Sequence, residues 1–311
     1  MRAVFLDTRT MGMDISLQPL AEAVDELTCW EMTSPEQVTE RLQGREIALV
    51  NKVVLDERHF SAAPDLKLVA VTATGLNNID LEAAAARDIQ VKNVSGYARP
   101  SIVQHTFTLL FALANNLLRY DGDVRQGRWA QSDMFCLLDH PMRELAGKTI
   151  GIVGYGDLGQ GVAAAAKAFG MNVLVAARSG QLTPDRIPLK TLLPQVDVLS
   201  VNCLLSEETR NLIDREALRA LPETAFVINT ARGGIVDEAA LAEALRNGWI
   251  AGAGVDVLSE EPPRNGNPLL ADDIPNLIVT PHCAWGTREA RERIVALTAE
   301  NLHRFTQDAA D

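Results

Sequence analysis

Gly147-Lys148-Thr149-Ile150-Gly151-Ile152-Val153-Gly154-Tyr155-Gly156-Asp157-Leu158-Gly159 is the stretch around which this chain is organised. Thr149 to Val153 is a short apolar run and reads as a buried strand. It runs into Gly154-x-Gly156-x-x-Gly159, and alanine-rich helix formers follow from Val162 to Ala168 until Gly170 stops them. A second apolar run, Met171 to Ala177, reads as the next strand. Strand, glycine turn, helix and strand in that order form a dinucleotide-binding unit. Gly154 permits the tight turn, Gly156 lets backbone approach a pyrophosphate, and Gly159 lets helix and strand pack closely. The helix start then offers unpaired N–H groups and a positive dipole end to the phosphates.

Outward from this stretch, the 311 residues suffice for two domains with sizeable cores, and 47% of them are hydrophobic. The net charge of −12, from 29 basic and 41 acidic residues, argues against nucleic acid or an anionic membrane surface as partner. Cys29, Cys136, Cys203 and Cys283 are scattered without a CxxC pair, which fits free thiols in a reducing cytoplasm and no metal. Met1-Arg2-Ala3 leads straight into the strand-like Val4-Phe5-Leu6, so no signal peptide is expected. The most apolar long segment, Thr106 to Leu118, is interrupted by Asn115-Asn116 and is too short to span a bilayer.

Residues 1 to about 98 alternate strand-like runs (Val4–Leu6, Ile47–Val50, Leu68–Thr72, Val91–Asn93) with helical patterns (Leu17–Leu27, Pro35–Leu42, Glu57–Ala63, Leu81–Arg87). That rhythm implies a parallel sheet with helices on both faces. Thr74-Gly75-Leu76-Asn77-Asn78 follows a strand, where open α/β sheets place ligand contacts, although an ordinary turn would read the same. Pro100 opens a helical pattern through Leu118 that carries Gln104 and His105, the latter read as a packed or surface residue. Asp121 to Leu145 is polar and irregular, with Trp129, Phe135 and Cys136, and such a segment is functional or arms a partner. Beyond the glycine turn, Val196–Asn202, Ala225–Asn229, Ile250–Asp256 and Leu277–Thr280 read as strands. Ser206–Leu221, Asp237–Arg246 and Arg288–Phe305 read as helices, the last packing back onto the first domain.

Three polar groups fall at strand ends in the second half. Arg232 lies in Asn229-Thr230-Ala231-Arg232-Gly233-Gly234, Glu261 just past Asp256, and His282 in Pro281-His282. Carboxyl ends of neighbouring strands in one sheet converge on one cleft. An arginine offers a bidentate clamp for a carboxylate, a histidine moves a proton near neutral pH, and a glutamate can hold the imidazole in one tautomer and favour its charged form. Each alone would read as a surface ion pair or a cap; together they read as chemistry.

These motifs in this order, with Gly254-Val255-Asp256-Val257, Glu261-Pro262 and Pro281-His282, resemble the D-isomer-specific 2-hydroxyacid dehydrogenases over essentially the whole chain. Within that family the likeness is greatest to glycerate dehydrogenases, or hydroxypyruvate reductases, through Asn51-Lys52-Val53-Val54-Leu55-Asp56, Thr74-Gly75-Leu76-Asn77-Asn78-Ile79-Asp80 and Pro281-His282-Cys283-Ala284-Trp285. The resemblance implies an α/β protein of two doubly wound parallel-sheet domains. A Rossmann cofactor domain, residues 99–284, is inserted into a flavodoxin-like substrate domain, residues 1–98 plus 285–311, with a cleft that closes on substrate. It implies Arg232, Glu261 and His282 as the catalytic set and Asp256 as the group that orients the nicotinamide carboxamide. The cofactor would be held by Gly154, Tyr155, Gly156, Asp157, Leu158, Gly159, Arg178, Ser179, Cys203, Leu204, Thr209, Thr230, Ala231, Arg232, Asp256 and His282. Asn51, Thr74, Gly75, Leu76, Arg232, His282 and Trp285 would hold the substrate, and a homodimer would form through the cofactor domain. The implied reaction is NAD(P)H-dependent reduction of hydroxypyruvate or glyoxylate to D-glycerate or glycolate. A dehydrogenase for lactate or a branched 2-hydroxy acid is the alternative, and an NAD(H)-sensing corepressor-like protein is the alternative from another class.

Two departures stand out: Leu204 replaces a proline common among relatives, and Ala284-Trp285 replaces a Gly-Ser. Trp285, with Phe135 from a partner chain, is expected to narrow the pocket. The acidic residue that binds the ribose 2′-hydroxyl in NAD-using units stands about 20 positions past the glycines. Here Ala177 occupies it, and Arg178 and Ser179 follow, so NADP(H) is expected ahead of NAD(H).

Overall fold

A computed structural model describes residues 1–178 and 185–308, and the chain divides into two units, residues 1–98 with 286–311 and residues 99–285. In the first unit β1 (Arg2–Phe5), α1 (Gln18–Glu22), β2 (Glu26–Cys29), α2 (Val38–Leu42), β3 (Ile47–Val50), α3 (Glu57–Ser61), β4 (Leu68–Val71), α4 (Leu81–Ala85) and β5 (Gln90–Lys92) form a parallel sheet of order β2-β1-β3-β4-β5 and its helices. β3 and β4 are apolar at every position and wholly buried, as strands covered on both faces must be. Asp80 caps α4 by accepting the Ala83 N–H. The C-terminal helix, Arg288–Asp308, belongs to this unit: Arg293 Nε donates to the Tyr97 carbonyl at 2.8 Å and Asn301 to that of Asn93 at 3.0 Å.

The helix expected over Leu17–Leu27 is corrected to a short α1 and the edge strand β2, whose residues pair with β1 from Arg2↔Glu26 to Phe5↔Cys29. Glu26-Leu27-Thr28-Cys29 is only half buried, so it lacks the apolar run that marks an interior strand.

In the second unit α5 (Arg99–Ala114) and α6 (Leu117–Arg125) precede the sheet. Then come β6 (Thr149–Val153), α7 (Asp157–Ala168), β7 (Asn172–Val175), α8 (Leu189–Leu192), β8 (Val198–Val201), α9 (Arg215–Ala220), β9 (Phe226–Asn229), α10 (Glu238–Arg246), β10 (Gly252–Val255) and β11 (Leu277–Val279). All strands are parallel, in the order β11-β10-β9-β8-β6-β7. The chain steps outward from β6 to β7 and then crosses to β8 on the other side, so strand order reverses between β6 and β8, where such sheets open a ligand crevice. One apolar cluster joins α5 and α7 to the sheet through Phe107, Leu110, Val162 and Ile150, and another joins α9 and α10 through Leu218, Leu241 and Val227. Two covered faces make the sheet doubly wound.

Three helix boundaries differ from expectation. The pattern through Leu118 breaks at Asn116, whose φ is +50°, and α6 continues into the stretch from Asp121 that reads as irregular. The fingerprint helix starts at Asp157 rather than Val162, because Gly159 and Gly161 lower helix propensity in the sequence yet sit inside it. Packing explains Gly161, where a Cβ would stand 2.8 Å from Val103 Cγ2 of α5. The helix expected over Ser206–Leu221 shrinks to α9, capped by Asp214, with turns before it.

Candidate active site

Arg232 follows β9, Asp256 and Glu261 follow β10, and His282 follows β11, so all four leave the carboxyl ends of three adjacent strands. Glu261 is held at one oxygen by the Leu258 N–H (2.8 Å) and meets His282 Nδ1 with the other at 2.5 Å. The carboxylate therefore sets Nδ1 as the protonated ring nitrogen and leaves Nε2 to act on another molecule. His282 has a φ of +51°, uncommon for a residue with a Cβ. Its N–H donates to the Asp256 carbonyl at 2.8 Å, and its own carbonyl accepts the Trp285 indole N–H at 3.0 Å. Arg232 Nη1 donates to the Ala231 carbonyl at 2.7 Å, and among the described residues the guanidinium has no ion-pair partner. Asn229 shapes its turn by accepting the Ala231 N–H at 3.1 Å and donating to the Arg232 carbonyl at 3.0 Å.

The glycine turn has the form a pyrophosphate needs. A Cβ on Gly154, whose φ is +92°, would stand 2.5 Å from the backbone nitrogen of Cys203, and one on Gly159 would stand 2.0 Å from the Gly154 carbonyl oxygen. A Cβ on Gly156 would meet nothing within 4 Å, so its turn opens on free space at the start of α7, where first-turn N–H groups lack intrahelical partners. Asp157 opens α7 and pairs with Arg99 at 2.8 Å, with Leu158 next to it. The Tyr155 ring lies 5.7 Å under the Arg186 guanidinium. Cys203 begins the turn after β8, and burial pushes its thiol pKa up, which disfavours a reactive thiolate. Leu204 is exposed, and its carbonyl accepts the Thr209 hydroxyl at 2.6 Å, so Thr209 shapes that turn. Thr230 is buried against Thr106 at 2.9 Å, and Ala231 is buried beside it. Ala177 and Arg178 follow β7; Arg178 is exposed and lies 3.9 Å from Glu208, a separation worth little between solvated groups. Ser179 lies outside the described residues.

In the first unit Asn51 follows β3, and Thr74, Gly75 and Leu76 follow β4. Asn78 ties the two loops by donating to the Val53 carbonyl at 2.8 Å, while the Thr74 hydroxyl donates to Val94 at 2.9 Å. Among the described residues the N–H groups of Gly75 and Leu76 have no acceptor. Asp7 was missed by sequence reasoning. Its buried carboxylate accepts the N–H groups of Asn51, Lys52 and Val53 at 2.6–3.1 Å and fixes the loop that carries Asn51. Burial raises its pKa, and those same N–H bonds oppose the rise. The grouping that could hold a metal among the described residues is His105, Asp256 and Cys283, with donor atoms within 4.8 Å of one another. Asp256 already accepts the Thr280 hydroxyl (2.6 Å) and the N–H groups of Cys283 (3.0 Å) and Ala284 (2.9 Å), so these groups form a hydrogen-bond network.

Comparison with known proteins agrees with this architecture. Residues 107–284 match the family described as D-isomer specific 2-hydroxyacid dehydrogenase, NAD binding domain. The chain is 42% identical over 305 residues to a glycerate dehydrogenase of Methylorubrum extorquens, covering 98% of this chain and 96% of that protein. It is 33% identical over 292 residues to a hydroxypyruvate reductase of Blautia hydrogenotrophica, with 91% and 90% covered. The crystal structure of TT0316 protein from Thermus thermophilus superposes with a TM-score of 0.84 at 34% identity, over 97% of this chain and 96% of that one. The two parallel-sheet units, the glycine turn and the likeness along nearly the full length establish that the chain belongs to the D-isomer specific 2-hydroxyacid dehydrogenases.

Proposed function

We propose that the protein reduces a small 2-oxo acid, hydroxypyruvate or glyoxylate, to the corresponding 2-hydroxy acid (D-glycerate or glycolate), with NADPH preferred to NADH. The observation that carries this reading is the 2.5 Å contact of His282 Nδ1 with a Glu261 carboxylate fixed from behind by Leu258. A reduced nicotinamide nucleotide supplies the hydride when bound. Gly154, Gly156, Gly159 and the start of α7 would hold its phosphates, with Tyr155, Asp157, Leu158, Cys203, Leu204, Thr209, Thr230 and Ala231 around it. Asp256, whose carboxylate fixes the turn before Trp285, would orient the carboxamide. His282 Nε2 gives a proton to the oxygen of the reacting carbonyl as that oxygen gains charge, and Glu261 stabilises the charged imidazole and keeps it oriented. Arg232 takes carboxylate and carbonyl oxygens with its free N–H groups. In the first unit the Gly75 and Leu76 amides suit a carboxylate, in a loop braced by Thr74 and Asn78 beside Asn51. Trp285, anchored through its indole N–H to the His282 carbonyl, is a fixed wall that favours a two- or three-carbon acid.

Cofactor choice rests on Ala177 and Arg178. No carboxylate at Ala177 repels a 2′-phosphate, and Arg178 is exposed and only loosely engaged by Glu208. Rates of NADPH and NADH oxidation with hydroxypyruvate, glyoxylate, pyruvate and phenylpyruvate test both halves of the reading. Hydroxypyruvate or glyoxylate with NADPH is expected to be fastest. Arg178→Ala raises the KM for NADPH far more than that for NADH, and Ala177→Asp moves preference toward NADH. Binding of cofactor without turnover on any of the four acids would favour a sensing role instead.

A homodimer is the proposed assembly. Leu117 and Leu118 of α6 and Trp129, Met134, Phe135 and Leu138 of the segment after it are exposed, with Phe135 86% accessible. Exposed apolar side chains gathered along one stretch of chain are the material of an interaction surface, and a second copy is the proposed occupant, with Phe135 directed at the neighbouring pocket. Sedimentation velocity is expected to give the mass of two chains, and Phe135→Asp to shift the population toward one; a single-chain mass for the unaltered protein would remove the proposal. Four free cysteines suit a reducing compartment, and on that ground a cytoplasmic setting is proposed. No helix among the described residues is long and apolar enough to cross a membrane.

A further inference from the structure

His105, read from sequence as a packed or surface residue, begins a directed chain of hydrogen bonds. Asp256 is 1% exposed, and its carboxylate accepts two backbone N–H groups, so the Thr280 hydroxyl at 2.6 Å donates to it as well. With its proton committed, Thr280 Oγ1 can only accept from His105 Nε2, which lies 2.9 Å away on α5. Direction is thereby fixed: imidazole N–H to hydroxyl, hydroxyl to carboxylate. The ring nitrogen also lies 3.5 Å from Asp256 Oδ1. Everything this chain reaches belongs to the turn that carries His282. Asp256 holds Thr280, Cys283 and Ala284 through its carboxylate and the His282 N–H through its carbonyl. The φ of +51° at His282 persists only where surrounding bonds over-determine it.

We propose that His105 is a positioning residue: through Thr280 it fixes the Asp256 carboxylate and so holds His282 in the geometry that its proton transfer requires. The catalytic part of this inference rests on the function proposed above; the mechanical part does not. The competing account is ordinary packing of a helix on a sheet, in which ring bulk matters and the donor does not.

His105→Ala, His105→Gln and Thr280→Val separate the two, because glutamine presents an amide N–H at about the reach of Nε2. In the alanine and valine variants kcat with hydroxypyruvate is expected to fall about tenfold, the order of one buried hydrogen bond, with little change in KM. His105→Gln restores it. Amide hydrogen exchange at Cys283 and Ala284, followed on the whole chain without substrate, is expected to quicken about tenfold in the same two variants and to recover in His105→Gln. Parent-like kcat and exchange in His105→Ala would overturn the proposal. So would a loss that glutamine does not restore, or one shared evenly by amides throughout the unit as the melting temperature drops. A parent protein without turnover on any 2-oxo acid would sink the function proposed above, and the exchange rates would then decide the positioning role alone.

Discussion

His282→Ala is expected to lower kcat for 2-oxo acid reduction by about 10²–10⁴-fold, the usual contribution of a general acid, while NADPH affinity stays near that of the parent. The asymmetry follows from what the imidazole touches. Its Nδ1 faces Glu261, its backbone is fastened to Asp256 and Thr280, and only Nε2 is left to meet substrate. A general acid acts in the transition state, so its loss appears in kcat. Glu261→Gln gives an intermediate outcome, because the amide can still accept from Nδ1 but no longer stabilises the imidazolium. Steady-state rates for the three proteins check this order, and near-normal turnover in the alanine variant would remove His282 from the mechanism.

What could be read in the sequence was whatever has a local cause. The turn at Gly154 to Gly159 was legible because its glycines recur at a fixed spacing between an apolar strand and a helix, a local pattern, even though the crowding at Gly154 comes from the turn after β8. Arg232, Glu261 and His282 were legible because each follows an apolar run at a strand end, and the order β11-β10-β9 then sets those ends side by side. Legibility fails where the cause is distant. His105 owes its role to Thr280, 175 residues away, and Asp7 owes its burial to a loop 44–46 residues on. Neither has a spacing that marks it. β2 fails for another reason, since an edge strand buries one side incompletely and loses its periodic signal. The turn from Leu204 to Thr209 was hidden because Ser206 and the residues after it also suit a helix. Only the hydroxyl of Thr209, spent on Leu204 and Ser206, shows that the backbone there is a loop.

Arg232→Lys is expected to lower kcat/KM for the 2-oxo acid by about 10²-fold or more, the scale on which loss of one preorganised donor is felt, with both a higher KM and a lower kcat. Charge is retained, so the effect isolates geometry. Arg232 already gives one N–H of Nη1 to the Ala231 carbonyl, and that bond orients the plane of the guanidinium. The remaining donors then point in directions set by the fork and can meet two oxygens of a planar acid at once. A lysine carries one nitrogen. If it keeps the Ala231 carbonyl, it cannot span both substrate oxygens; if it leaves that carbonyl, it loses the contact that aimed it. Asn229 holds the backbone on either side, so the turn itself should survive the change, and cofactor binding with it. Measured kcat and KM for hydroxypyruvate, beside the dissociation constant for NADPH, decide the matter: a lysine variant equal to the parent in all three would mean that bidentate recognition by Arg232 is not how this protein holds its substrate.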